Sequence, residues 1–246
     1  MRVLGIDTST DMLGIGLLEE GKLAGEINIE LNQSHNQRLI PFVELLLGEK
    51  DCSLADIDLI SVVKGPGSFT GLRIALSTVK GFNLAQNFHN VAVSSLELTA
   101  AGKICQPGYW LPVLDARRRR VYTALFAGEH DLPDEKSRIL DDQALSLDEL
   151  PEILENRIPS RQRLSVVGPA ADIYRDEFKE LGRSLSCGVT VEPAMTARPA
   201  GGRTAWLGHE LFQSGREHDI RELTPAYLKP PQAEINYQRE KNDGEE

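Results

Sequence analysis

The hydrophobic pattern opens with three short apolar runs, at residues 3–6, 13–18 and 23–31, separated by the polar stretches "DTSTDM" and "EEGK". In the third run Ile27, Ile29 and Leu31 alternate with Asn28, Glu30 and Asn32. That alternation predicts an edge strand with one face in water. The short turns predict an antiparallel meander. The period then changes. In "SHNQRLIPFVELLLGE", Leu39, Phe42, Val43, Leu46 and Leu47 recur at helical spacing, with Gly48 suited to the C-terminal end. Pro41 falls in the first turns, where a helix tolerates it. Ile40 and Leu45 lie off this stripe, so the helix is greasier than one buried face requires.

Residues 59–63 are apolar throughout and read as a central strand. A glycine-proline loop, "GPGSFTG", leads into a helix over 68–86. Another short strand at 91–95 follows, and Ser94 or Ser95 can cap a helix at 96–102. The first hundred residues thus read βββ-α-β-α-β-α. A comparable order returns. "YWLPVLDA" and "RVYTALFAGE" pair as strands, with a weak third near Ile139. Ser146 and Glu149 have the spacing of a capping box. "LSVVG" is a strand, "AADIYRDEFKELG" a helix, "LSCGVTV" a strand, and residues 204–212 a last helix. The repeated order predicts an α/β fold of two related lobes, each a mixed sheet flanked by helices. The lobes are residues 1–105 and 106–224. In the tail, 225–246, "AYLK" docks, and the polar end buries too little apolar surface to order itself.

The "GPGSFTG" loop has two readings. Glycines before a helix can cradle a phosphate. This loop, however, lacks the Lys-Ser/Thr ending of the P-loop, and Pro66 removes a donor. The alternative lies in the helix behind it. Gly71, Ala75, Thr78, Gly81 and Ala85 form a stripe of small residues, beside an apolar stripe of Leu72, Leu76, Val79 and Phe82. Small residues let another backbone approach closely. Spacing leaves open whether that backbone belongs to a partner or to this chain.

Composition narrows the class. Apolar residues are 41% and charged residues 26% of 246, as in ordinary globular proteins. No apolar run is long enough to cross a bilayer, and the N-terminus does not read as a secretion signal. Cys52, Cys105 and Cys187 are far apart and lack Cys-x-x-Cys spacing, which argues against a disulfide framework or zinc knuckle and for a reducing cytoplasm. The net charge of −10 disfavours autonomous nucleic-acid binding. Arg117 to Arg120 form a local basic exception, suited either to phosphate or to the chain's own carboxylates.

Five segments occur in order: "LGIDTST", "SHNQRLIPFVELLL", "KGPGSFTGLRIALSTVKG", "LPVLDARRRRVY" and "TPAYLK". Together they closely resemble the bacterial TsaB family, also called YeaZ, and "GPGSFTGLR" is the most specific. The resemblance covers most of the chain up to Lys229. It implies an actin-like, sugar-kinase-like two-lobe fold and a role in forming threonylcarbamoyladenosine on tRNAs that read codons starting with A. It implies a non-catalytic subunit that partners a TsaD-type paralogue, with a TsaE-type ATPase completing the assembly. tRNA would be met only through the complex, and no membrane is involved.

The residues bear on that picture separately. The catalytic paralogue holds a metal through His-x-x-x-His, two imidazoles on one helix face. Here His35 occupies the first position but Leu39 the second, so no metal site is expected. Asp7, Thr8, Ser9 and Thr10 stand where the superfamily meets nucleotide phosphate and magnesium, but the turn lacks the usual glycine. No convincing adenosine-binding glycine pair follows in the second lobe, where "AGGR" at 200–203 is the sole candidate. No cofactor is expected, with ATP and magnesium left to the assembled complex. The expected partner-binding residues are His35, Arg38, Leu39, Phe42 and Leu46 on the first helix, and Gly71, Ile74, Ala75, Thr78 and Phe82 on the second. Without a partner, the same helices would make a homodimer. The rival readings are an ATP-dependent phosphotransferase working through Asp7, a metallopeptidase-like protein, and a stand-alone dimeric binding module.

Overall fold

A computed structural model describes residues 1–31, 35–197 and 200–228. The first sheet holds β1 (Arg2–Asp7), β2 (Met12–Glu19), β3 (Lys22–Glu30), β4 (Leu59–Gly65) and β5 (His89–Ser94), in the order β3-β2-β1-β4-β5. The second holds β6 (Tyr109–Asp115), β7 (Arg120–Ala127), β8 (Arg138–Ser146), β9 (Arg163–Val167) and β10 (Gly188–Val191), in the order β8-β7-β6-β9-β10. Each sheet has two antiparallel pairings followed by two parallel ones at equivalent places. The duplication expected from element order is therefore present strand for strand. The architecture is the two-lobe actin-like, sugar-kinase-like one.

Alternation along the central strands builds the layers of the first lobe. Leu4, Ile6, Ile60 and Val62 face one core, shared with α1 (His35–Gly48) and α2 (Phe69–Ala85). Val3, Leu59 and Val63 face the opposite one. That second layer is filled by α7 (Gly201–Gln213), through Ala205, Leu207 and Leu211. A sequence division at 105 places this last helix with the second lobe, whereas it packs on β1, β2, β4 and β5 of the first. Backbone approach explains the placement. A Cβ on Gly16 would lie 2.3 Å from the Gly201 carbonyl carbon, and one on Gly201 would lie 2.0 Å from that of Ile15. The Asn28 and Glu26 side chains accept from the Gly201 and Gly202 N–H groups at 2.8 and 3.0 Å. The "AGGR" glycines thus serve packing and capping against the first sheet.

The crossing is reciprocal. α3 (Ser95–Ala100) follows β5 but packs on β6 and β7 of the second lobe. Leu96, Ala100 and Ile104 there meet Trp110, Leu114 and Phe126. An ion cluster seals the same seam. Glu97 accepts from Arg138 at 3.1 Å and from Arg216 at 3.0 Å, and Arg138 reaches Asp142 at 2.6 Å. Ser94 Oγ donates to Asp142 at 2.5 Å.

Two local expectations change. The long helix of the second lobe divides into α5 (Ala170–Ile173) and α6 (Arg175–Ser184). Tyr174 leaves helical geometry at the joint, with its hydroxyl donating to Asp115 at 3.1 Å. The Ser146–Glu149 pair closes a turn ahead of α4 (Leu150–Glu155), where Pro151 occupies the first turn. The weak strand near Ile139 is a full edge strand, β8. No helix among the described residues is long and apolar enough to cross a membrane.

Candidate docking surface and inter-lobe cleft

The glycine-proline loop answers to the chain's own β1–β2 turn. A Cβ on Gly67 would stand 2.2 Å from the Ser9 carbonyl oxygen, and the Ser68 N–H donates to that oxygen at 2.7 Å. Ser68 Oγ caps α2 by accepting from the Gly71 N–H at 3.2 Å. Two of the donors a phosphate would need, the Ser68 and Gly71 N–H groups, are therefore engaged inside the protein.

Asp7 ends β1 fully buried, and Oδ1 accepts from the Ser9 N–H at 2.8 Å. Burial raises its pKa above the usual carboxylate range, against the opposing pull of the Ser9 backbone, His35 and Arg203. Burial likewise lowers the pKa of Arg203, against Glu26 and Asp7. Thr8 is also buried, and its hydroxyl donates to the Gly71 carbonyl at 2.7 Å. A cleft of about 430 Å3 does open between the lobes, lined by Ser9, Thr10, Ser68, Asp115, Arg117 and Tyr122 among others. Of the four residues expected to meet a nucleotide, Ser9 and Thr10 border it. Asp7 and Thr8 do not: Asp7 is fully buried, and the Thr8 hydroxyl is bonded to the Gly71 carbonyl of α2.

The expected partner-binding residues divide in the same way. Leu39, Leu46, Gly71 and Ala75 are buried in their own chain. The first half of the small-residue stripe is used internally, so these four do not line a free surface. Phe42, Ile74 and Phe82 are half-buried along the rim of the first core. His35 and Thr78 are half-buried and Arg38 is exposed.

The large apolar side chains of the outward surface come from positions off those stripes. Ile40 is 45% exposed, Leu45 52% and Leu84 90%. Gly81, Leu84 and Ala85 carry the exposed end of α2. Helical phase explains the difference: residues that complete the core cannot also face solvent. The excess of Ile40 and Leu45 over one buried stripe was the available signal. Leu84 gave none, since it falls outside both stripes of its helix.

The described part of the "AYLK" segment, residues 226–228, packs where β4 leads into α2. The Ala226 N–H donates to the Lys64 carbonyl at 2.8 Å. Tyr227 stacks on Phe69 at 4.6 Å, and its hydroxyl accepts from Arg73 Nε at 2.7 Å. Lys229 and the polar tail after it lie outside the described residues. Among the described residues, no group of three or more His, Cys, Asp or Glu side chains is placed to hold a metal. Leu39, in the second position of the His-x-x-x-His pattern, is a core residue.

A family model described as TsaD, tRNA N6-adenosine threonylcarbamoyltransferase, matches residues 28–237. The tRNA threonylcarbamoyladenosine biosynthesis protein TsaB of Bacillus subtilis is 31% identical over 96% of this chain and 98% of its own length. Its Escherichia coli counterpart is 28% identical over 93% and 95%. The solved structure of YeaZ from Pseudomonas aeruginosa shares the fold with a TM-score of 0.67, at 24% identity over 92% of this chain and 99% of that one. With relatives matched over nearly their whole length under one name, this chain belongs to the TsaB (YeaZ) family of tRNA threonylcarbamoyladenosine biosynthesis proteins.

Proposed function

We propose that this protein is a non-catalytic docking and activating subunit of the tRNA threonylcarbamoyladenosine-forming machinery. It binds a TsaD-type transferase through the outward faces of α1 and α2. The observation that carries this reading is the exposure of Ile40 and Leu45 on α1 and of Leu84 on α2, which packs beside it: large apolar side chains left in water. Exposed apolar surface of this kind marks an interaction site, and an apolar centre with a polar rim is the usual anatomy of one. The contribution is conformational: docking favours the partner's active arrangement. A TsaE-type ATPase joins the assembly, tRNA is met through the complex, and ATP and magnesium belong there as well. The setting is the cytoplasm. Alone, the chain pairs with itself through the same helices.

The phosphotransferase alternative needs Asp7 at a phosphate or its magnesium, and it is less favoured because this carboxyl is fully buried and does not line the cleft. The metallopeptidase alternative needs a second histidine where Leu39 fills the core. Calorimetry of the isolated chain with ATP and magnesium should show no turnover. The decisive test is co-elution with the TsaD-type protein. Leu45→Arg and Leu84→Arg should keep their thermal midpoints and lose at least about tenfold in affinity, since a buried unpaired charge at an interface costs several kcal/mol. Undiminished binding by both variants would refute the assignment of this face.

A further inference from the structure

Four consecutive arginines, Arg117 to Arg120, make the turn between β6 and β7, and all four are exposed in a chain of net charge −10. Their backbone is unusual. Arg117, Arg118 and Arg119 have φ of 63°, 56° and 55°, three successive non-glycine residues in the left-handed region. Such residues are rare and strained, and strain of this kind concentrates at functional sites. The turn is held rather than loose. The Arg117 N–H donates to Asp115 Oδ1 at 2.8 Å, Arg120 N–H to the Arg117 carbonyl at 3.2 Å, and Leu147 N–H to the Arg119 carbonyl at 3.0 Å. The turn thus holds four exposed arginines on a fixed stretch of backbone.

The four arginines are engaged to different degrees. Arg119 reaches Glu177 at 2.9 Å and Asp148 at 3.7 Å. Arg120 donates to the Ala144 carbonyl at 2.8 Å. Arg117 lies 3.7 Å from Asp115 with its side chain 84% exposed. Arg118 makes no hydrogen bond or ion pair among the described residues. The inner pair is anchored and the outer pair is presented. Arg117 also borders the inter-lobe cleft, opposite the hydroxyl residues Ser9, Thr10 and Ser68. Charges clustered against their own repulsion, on a strained scaffold, fit a polyanion better than a structural role.

We propose that Arg117 and Arg118 contact the phosphodiester backbone of tRNA once this protein is docked in its complex. The inference rests on the docking reading above, because the acidic remainder of the chain would repel RNA by itself. It adds a positioning contact that fixes the substrate through phosphate and carries no sequence preference.

The test uses the reconstituted complex with the TsaD-type partner and a fluorescein-labelled, unmodified tRNA transcript, its affinity read by anisotropy over a salt series. The Arg117→Gln/Arg118→Gln pair should leave the thermal midpoint and complex assembly unchanged. It should weaken tRNA binding about tenfold near 0.1 M salt, and lower the slope of log affinity against log salt by about 1.5 to 2. Arg117→Lys/Arg118→Lys should recover most of the slope, since phosphate charge is still met. Unchanged affinity and slope in an intact complex would overturn the inference. So would a loss of association with the protein partner in place of a loss of tRNA, which would assign the turn to that partner's carboxylates. If the wild-type pair does not co-elute, the docking reading itself fails, and this inference fails with it.

Discussion

Gly71 sits against Thr8 so closely that a Cβ at position 71 would lie 1.9 Å from the Thr8 carbonyl oxygen, while the Thr8 hydroxyl donates to the Gly71 carbonyl at 2.7 Å. The start of α2 and the end of β1 are locked as one piece. Gly71→Ala must separate two backbones, with no flexible side chain to yield. It should cost on the order of 2–4 kcal/mol, comparable to a severe overpacking. Thermal or urea denaturation reads this directly, and a variant within about 0.5 kcal/mol of the parent would contradict the geometry.

Position 75 separates core from surface on the same helix. The sequence stripe suggests Ala75 as a partner contact, for which Ala75→Arg would fold and lose only binding. In the structure Ala75 is 0% exposed, within the first core. Ala75→Arg should therefore fail to fold, since an unpaired interior charge costs several kcal/mol. Circular dichroism distinguishes the outcomes, and a folded Ala75→Arg would return this residue to the docking face.

The ion cluster between the lobes makes a separate expectation. Glu97 serves Arg138, Arg216 and the Ser94 N–H together, and is buried. Removing it leaves two guanidiniums without their shared carboxylate. Glu97→Ala should cost about 3–5 kcal/mol, the range for breaking a buried pair from one side. Hydrogen exchange should accelerate first in α3 and β8, which the cluster joins. Uniform acceleration across both sheets would mean that the cluster is not a local seam.

His218 gives the protein a pH dependence of known sign. Its Nδ1 accepts from the Ala92 N–H at 3.2 Å. Burial lowers its pKa below 6.5, helped by Lys64 and Arg216 and opposed by Glu97. The unfolded chain then binds the proton more readily than the folded one. The contribution is complete above the ordinary value of 6.5 and is lost as pH falls through the folded one. His218→Asn keeps an acceptor near the Ala92 N–H but cannot titrate. The fall in thermal midpoint from pH 7.5 to 5.5 should be smaller in this variant than in the parent.

Periodicity made most of the fold legible, because alternating and helical patterns report which side of an element is buried. β1 to β5, α1 and α2 follow from it, as does the duplicated element order. Which lobe receives each crossing helix did not. That choice rests on contacts between Gly16 and Gly201, far apart in sequence, and one chain carries no sign of their meeting. The "GPGSFTG" motif was visible, yet its purpose was open until Ser9 and Thr8 were seen against it. At the docking face, the apolar stripes named the core-facing side of each helix. The outward residues were legible only as the excess left over after one buried face is counted.

The return of α7 to the first sheet bears on how the protein is made. Roughly 100 residues separate the end of α3 from Gly201. At ~5–20 residues per second, translation takes ~5–20 s to cover them. Throughout that interval the nascent first lobe has Val3, Leu59 and Val63 uncovered on one side. The half of the molecule synthesised first is thus the last to be completed, and on the ribosome it needs shielding until its closing helix emerges.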